Sequence, residues 1–181
     1  MGRWERTHEA LAQAAWELFS ERGYEATAMA HIAERAGVSE MTLFRHFPTK
    51  EALVVTDPFD PLLAEAVRER PAEEPAMRAL AEGIRQAWAR IGADDVRMLR
   101  ARLELIARTP ALRGAIERGS DDTVAALVAA LVDRGTSEEQ ARVAATALIA
   151  GLSTALLQWA RSEQTTLDAA LGAALDVLGG Q

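Results

Sequence analysis

Between Glu40 and Lys50 the chain gathers side chains suited to holding and reading a nucleic-acid duplex. Thr42 offers a hydroxyl that can donate to a phosphate or a base edge. Arg45 carries a guanidinium that can reach guanine or a phosphate. Glu40, Met41, Phe44 and His46 stand beside them, and Lys50 follows. Such groups act together only if one rigid element presents them, so the flanking sequence decides what they can do.

That flanking sequence spells two short helices joined by a tight turn. In 28–36, Met29, Ile32, Ala33 and Ala36 fall at i, i+3, i+4, i+7, the spacing of one buried helical face. Gly37 follows, where a residue without Cβ takes the left-handed conformation at little cost. Val38 can pack under the turn, and Ser39 is placed to cap the next helix. Leu43 and Phe47 repeat at i, i+4 and face inward, which leaves Glu40, Met41, Thr42, Phe44, Arg45 and His46 on the other faces. Pro48 stops this helix, and Thr49 can cap one beginning at Lys50. The arrangement is a helix-turn-helix, whose second helix enters the DNA major groove. A helix of 4–22 precedes it, with Leu11, Ala15, Leu18 and Phe19 as its inner stripe.

Residues 1–53 resemble the DNA-binding domain of the TetR family of bacterial transcriptional repressors. The resemblance rests on Ala14-Ala15 with Leu18-Phe19, Gly23-Tyr24 with Ala26-Thr27, Ile32-Ala33 and Ala36-Gly37-Val38-Ser39. Thr42-Leu43-Phe44, His46-Phe47, Lys50-Glu51 and Leu53 complete it. The resemblance implies that Glu40, Met41, Thr42, Phe44, Arg45 and His46 touch bases and phosphates. It also implies that Lys50, the only lysine of the chain, sits at a phosphate contact, and that Thr27 caps the second helix and reaches the DNA backbone. Four departures stand out. Ala28 replaces the usual second Thr, Glu40 a common Lys, Met41 a common Gly and Phe44 a common Tyr. They point to an unusual operator or a weak affinity, with Met41 able to meet a thymine methyl.

Bulk properties bound the rest. The 181 residues are 49% hydrophobic, enough for a small domain plus a larger one. Ala, Leu, Arg and Glu dominate and no alternating β-branched run occurs, so an all-α chain is expected. There is no cysteine, which excludes disulfides and thiolate metal sites. The N-terminus carries charges rather than an apolar signal core, and no uninterrupted apolar run is long enough to span a membrane, so a cytoplasmic location is expected. The net charge of −7 argues against DNA binding if read globally. Residues 1–50 hold six Lys/Arg against seven Asp/Glu, so the deficit lies mainly behind them. Phosphate binding must then rest on where Arg3, Arg6, Arg45 and Lys50 sit. The three histidines, His8, His31 and His46, form no convergent ligand set; no metal and no cofactor are expected.

The remaining chain reads as a helical bundle, about nine helices in all. The fourth helix starts at Lys50 and carries the boundary between two domains, 1–53 and 54–181, as a lever that Pro58 and Pro61 kink or break. Asp60 can cap its continuation to Arg70. Further helices are expected over 76–91, from Ala93, from Thr109-Pro110 to Arg134 with a bend near Gly119, over 137–161 behind a Ser137–Gln140 capping box, and over 166–178. The last two are apolar on many sides. Leu148, Gly151, Leu152, Ala155, Leu156, Trp159, Leu167 and Leu171 are candidates for a dimer interface, as the last two helices are in the TetR family. One short recognition helix reads few base pairs, which independently argues for a second copy. Trp88, Met98, Arg102, Leu105 and Trp159 are candidates to line a ligand pocket. Segments 57–63 and 97–112 resemble the regulatory domain of the mycofactocin-type, acyl-CoA-like-ligand-binding branch, which implies an acyl-CoA or similar amphipathic acid as effector.

These observations point to a homodimeric, ligand-responsive repressor bound to a palindromic operator and not to an enzyme. No grouped nucleophile, metal pattern or phosphate loop is present to support catalysis. The alternative is a helical interaction protein with a degenerate DNA-binding domain, which the near-neutral front segment and Glu40 favour.

Overall fold

Strong helix formers dominate the sequence, and the computed structural model is helical without a strand over its described residues. These are 2–56, 60–112 and 114–180, apart from the side chains of 60, 61, 115, 117 and 118. Two compact units divide the chain, Met1–Thr56 and Asp57–Gln181. The first holds α1 (Arg3–Arg22), α2 (Met29–Arg35), α3 (Glu40–His46) and α4 (Ala52–Val55). The second holds α5 (Asp60–Arg68), α6 (Ala76–Trp88), α7 (Ala93–Arg108), a 3-10 turn at Pro110–Leu112, α8 (Ala115–Asp133), α9 (Glu138–Ala160) and α10 (Leu167–Gly179).

In the first unit the apolar spacing does what it predicts. Leu11, Ala14, Ala15, Leu18 and Phe19 of α1 meet Ile32 and Ala33 of α2, Leu43 of α3 and the following Phe47 in a core with Tyr24 and Val54. Each large side chain so buried contributes about 1.5–3 kcal/mol against leaving it in water. Gly37 adopts φ +69°. Its N–H donates to the Glu34 carbonyl and the Val38 N–H to the Ala33 carbonyl, both at 3.0 Å. These two bonds form a Schellman motif, which satisfies carbonyls at the end of α2 and sets the angle at which α3 leaves. The Ser39 hydroxyl caps α3 by accepting from the Thr42 N–H at 3.2 Å. Thr49 accepts from the Ala52 N–H at 3.1 Å and opens α4.

The fourth helix is short, Ala52–Val55. It ends at Val55, and Thr56 is extended at φ −60°, ψ 122°. Pro58 lies outside the described residues, as do the side chains of Asp60 and Pro61, the cap and second breaker of the sequence reading. Among the described residues there are ten α-helices, against about nine expected.

In the second unit α6, α7, α8 and α10 pack around α9, and α5 crosses α6 and α8. A Cβ on Gly83 of α6 would lie 3.0 Å from the Val67 backbone of α5, so the crossing needs a residue of that size. The long helix expected from Thr109 to Arg134 is instead a 3-10 turn, then Gly114 in the left-handed region at φ +73°, then α8 unbroken through Gly119. The turn in the chain therefore falls at Gly114, which adopts positive φ, while Gly119 stays within α8. Arg134 at the end of α8 holds the α5–α6 connection through the carbonyls of Arg70, Pro71 and Glu74. Ser137 and Thr166 cap α9 and α10 through the N–H groups of Gln140 and Ala169. By length and composition α9 is apolar enough to cross a bilayer. Here Ala141, Ala144, Ala145, Leu148, Leu152 and Trp159 bury one side of it in the core of the unit.

Candidate functional site

The outer face of α3 is built by its inner one. Leu43 is fully buried and Phe47 nearly so. The 100° step of a helix then turns Glu40, Met41, Phe44 and Arg45 outward, and all four are exposed. Met41 is 67% and Phe44 46% exposed, large values for apolar side chains. The Arg45 guanidinium lies 3.9 Å from the Met41 sulfur, one turn away. This face joins one acid, one base and two large apolar groups. It has the chemistry to meet amino groups, guanine acceptors and methyl groups in a groove.

The remaining residues expected at this site are placed differently. Thr27 is 1% exposed, and its hydroxyl donates inward to the carbonyls of Gly23 (2.9 Å) and Leu18 (3.3 Å). It neither caps α2, whose N-cap is Ala28, nor points at solvent. Buried hydroxyls take the nearest backbone acceptor, and here that acceptor is the end of α1. Thr42 is half-buried with its hydroxyl 2.9 Å from that of Ser39, so the cap engages it. Lys50 is also half-buried. Its ammonium donates to the carbonyls of Tyr24 (2.8 Å) and Thr27 (3.0 Å) and stands 4.3 Å from the Tyr24 ring centre. It ties the start of α4 to the α1–α2 turn, with one of three ammonium protons left for a phosphate.

His46 ends α3 against α1. Its ring stacks on Trp4 with centroids 3.6 Å apart and planes 24° apart, and His8 stacks on Phe47 at 4.1 Å. The two imidazoles are 5.6 Å from each other. Burial lowers the pKa of both below the ordinary value of 6.5, and the neighbouring His46 adds to the effect at His8. His46 Nδ1 is buried without a hydrogen-bond partner. The neutral ring is thus a packing element that fixes the end of α3, and any phosphate contact must come from its other nitrogen. Trp4 escaped the sequence reading. The signal was there, since Trp4, His8 and Leu11 follow one another at helical spacing along α1.

In the second unit the structure redistributes the candidates. Trp88 and Trp159 belong to the core, at 9% and 2% exposure, while Met98 is exposed and Arg102 and Leu105 are half-buried on α7. The Trp159 ring is covered instead by the guanidinium of Arg100, 4.2 Å from its centre, which also donates to the Ser162 carbonyl at 2.8 Å. Two described grooves lie elsewhere. One of about 550 Å³ runs between α9 and α10, lined by Gly151, Thr154, Ala155, Gln158, Ala170 and Ala174, with Trp159 at its floor. Another, about 660 Å³, lies between the starts of α6 and α9 beside Pro75, Met77, Gln140 and Val143. Of the pocket candidates, only Trp159 lines either groove.

The interface candidates divide in the same way. Leu148, Leu152, Trp159, Leu167 and Leu171 are buried in the core of their own unit. Gly151 accommodates α10 of the same chain: a Cβ there would lie 2.8 Å from Leu178. Ala155 and Leu156 are half-buried. The residues that α9 and α10 leave exposed include Ala147, Ala150, Thr154, Ala169 and Ala173.

Known proteins share this arrangement. Residues 11–55 match the family model described as bacterial regulatory proteins, tetR family, and residues 74–181 match the model described as MftR C-terminal domain. The HTH-type transcriptional regulator TcmR of Streptomyces glaucescens is 34% identical over 65% of this chain; the chain spans about half, 55%, of that relative's length. The putative mycofactocin biosynthesis transcriptional regulator MftR of Mycobacterium tuberculosis is 28% identical over 93% of this chain and 87% of its own. Among solved structures, the TetR-family repressor AlkX of Dietzia is 20% identical, covering 99% of this chain and 96% of that one, with a TM-score of 0.61. FadR of Bacillus subtilis, in complex with stearoyl-CoA, is also 20% identical, covering 94% and 96%, with a TM-score of 0.56. These two establish likeness of fold. The helix-turn-helix match at the front and the domain match over more than half of the length behind it show that the chain belongs to the TetR family of bacterial transcriptional regulators, with an MftR-type C-terminal domain.

Proposed function

We propose that this regulator is a homodimeric repressor that grips a palindromic operator and is released from it by a small molecule. The observation that carries the reading is the solvent face of α3, where Glu40, Met41, Phe44 and Arg45 stand clear of the core that anchors the helix. In a dimer two such helices enter successive major grooves about 34–36 Å apart. Selecting bound duplexes from a random synthetic pool tests it. A palindrome with that spacing is the expected product, and its binding weakens steeply with salt because lysine and arginine displace counterions. Enrichment of no sequence at low salt would favour the alternative, an interaction protein with a degenerate front domain.

Dimerisation is assigned to the small-residue surface of α9 and α10. Backbones approach closely where side chains are short, and Ala147, Ala150, Thr154, Ala169 and Ala173 leave such room. Charge placed there, as in Ala150→Glu with Ala173→Glu, is expected to give a folded monomer in sedimentation that no longer holds the operator. For the effector, the MftR-type domain supports an acyl-CoA or another amphipathic acid, as does a fold shared with a FadR solved with stearoyl-CoA. Such a ligand acts only through its different affinities for the DNA-bound and released states. Operator release titrated with acyl-CoAs of increasing chain length reads this directly.

A further inference from the structure

Of the side chains at the front of this molecule that carry polar chemistry, several are already engaged. Thr27 bonds to backbone carbonyls, Thr42 is held by the Ser39 cap, and Lys50 is tied to two carbonyls. His46 is stacked on Trp4. The outer face of α3 is therefore left to Met41 and Phe44, with Glu40 and Arg45 alongside. Residues 41, 44 and 45 are i, i+3, i+4 neighbours and so share one face of the helix. A single exposed apolar residue on a protein surface is ordinary. Two large ones side by side, on the element that this family lays in a groove, form a patch with a defined partner surface.

We propose that Met41 and Phe44 read thymine methyl groups, so that the operator half-site carries thymines opposite them next to a guanine taken by Arg45. In the major groove of unmodified DNA the only apolar group on any base edge is the C5-methyl of thymine. Neither a thioether nor a phenyl ring offers a strong hydrogen bond to the other edges. The Arg45 guanidinium, 3.9 Å from the Met41 sulfur, enters the groove beside that apolar contact and can fork onto the O6 and N7 of a neighbouring guanine. The assignment rests on α3 being the base-reading helix, as proposed above.

The test uses unmethylated synthetic duplexes of the selected operator, in which thymine is the sole source of a major-groove methyl. Each thymine is replaced in turn by deoxyuridine, which deletes the methyl and keeps the pairing. At the positions facing Met41 and Phe44 each loss is expected to weaken binding about fourfold, and roughly tenfold or more when made in both half-sites. Met41→Ala and Phe44→Ala should each bind thymine and uracil duplexes alike at the position they face. Both side chains are exposed, so unchanged thermal melts will show that these variants fold. Uracil tolerated throughout the half-site, or full thymine preference in both variants, overturns the assignment while leaving sequence-specific binding intact. Failure to enrich any sequence overturns the base-reading role of α3 itself, and the methyl reading with it.

Discussion

Helices α3 and α9 both present a face to solvent, yet they do so by opposite means. Helix α3 has seven residues and only two inward anchors, Leu43 and Phe47. Its outer face is chemically varied, so the inner face is marked by contrast. Helix α9 has 23 residues and is apolar nearly all round. Leu148, Leu152 and Trp159 pack inward, while Val143, Ala147 and Ala150 stay out. Hydrophobic periodicity assigns a face only where polar residues interrupt it. On α3 that signal is strong. On α9 it is weak, because alanines lie on both sides: Ala141, Ala144 and Ala145 inside, Ala147 and Ala150 outside.

Substitutions along α9 give the largest effects and test this division most directly. Leu148→Ala, at a fully buried site, is expected to cost about 2–5 kcal/mol of stability, whereas Val143→Ala, at 71% exposure, should stay within about 0.5 kcal/mol. Equal shifts in thermal or denaturant midpoint would break the inside–outside assignment.

On the α3 side, Lys50→Met should lower the stability of the first unit by about 1.5–3 kcal/mol, since it removes two charge-assisted bonds to backbone carbonyls. A lysine that merely touched phosphate would leave urea unfolding of the free protein unchanged. Ser39→Ala removes the α3 cap and should cost about 1 kcal/mol, measured in the same way.

The smallest effect is set by pH. His8 and His46 have lowered pKa values in the fold, so the unfolded chain binds protons more readily. Their contribution to stability is present above 6.5, the ordinary value, and is lost as pH falls through their lowered values. Melts compared at about pH 7.5 and about pH 5.5 should show this decline in the wild type and a flatter response in a His8→Phe, His46→Phe pair. A rise in stability on acidification would contradict the Trp4–His46 packing.

Much of the first unit was legible in the residues. Gly37, Ser39, Leu43 and Phe47 each carry a local signal (positive φ, a capping hydroxyl, i and i+4 burial), and the structure uses each for that purpose. Thr27, Thr42 and Lys50 were less legible, because a hydroxyl or an ammonium can satisfy itself on any nearby carbonyl. Which carbonyl is near depends on how α1, α2 and α4 meet. The candidates in the second unit were hard to place for a related reason. Trp88, Met98, Arg102 and Leu105 are apolar or amphipathic residues on helices that could face a cavity, a core or solvent, and composition does not separate these.

By itself, the sequence determined the all-helical class, the helix-turn-helix with its turn and caps, and the inner face of α3, since all of these follow from interactions within a few residues. Tertiary structure alone decided which polar groups at the front stay available for DNA, where the chain turns before α8, and which side of α9 remains uncovered. Those outcomes depend on contacts between segments far apart in the chain, where burial and the nearest hydrogen-bond partner are set by packing and not by spacing.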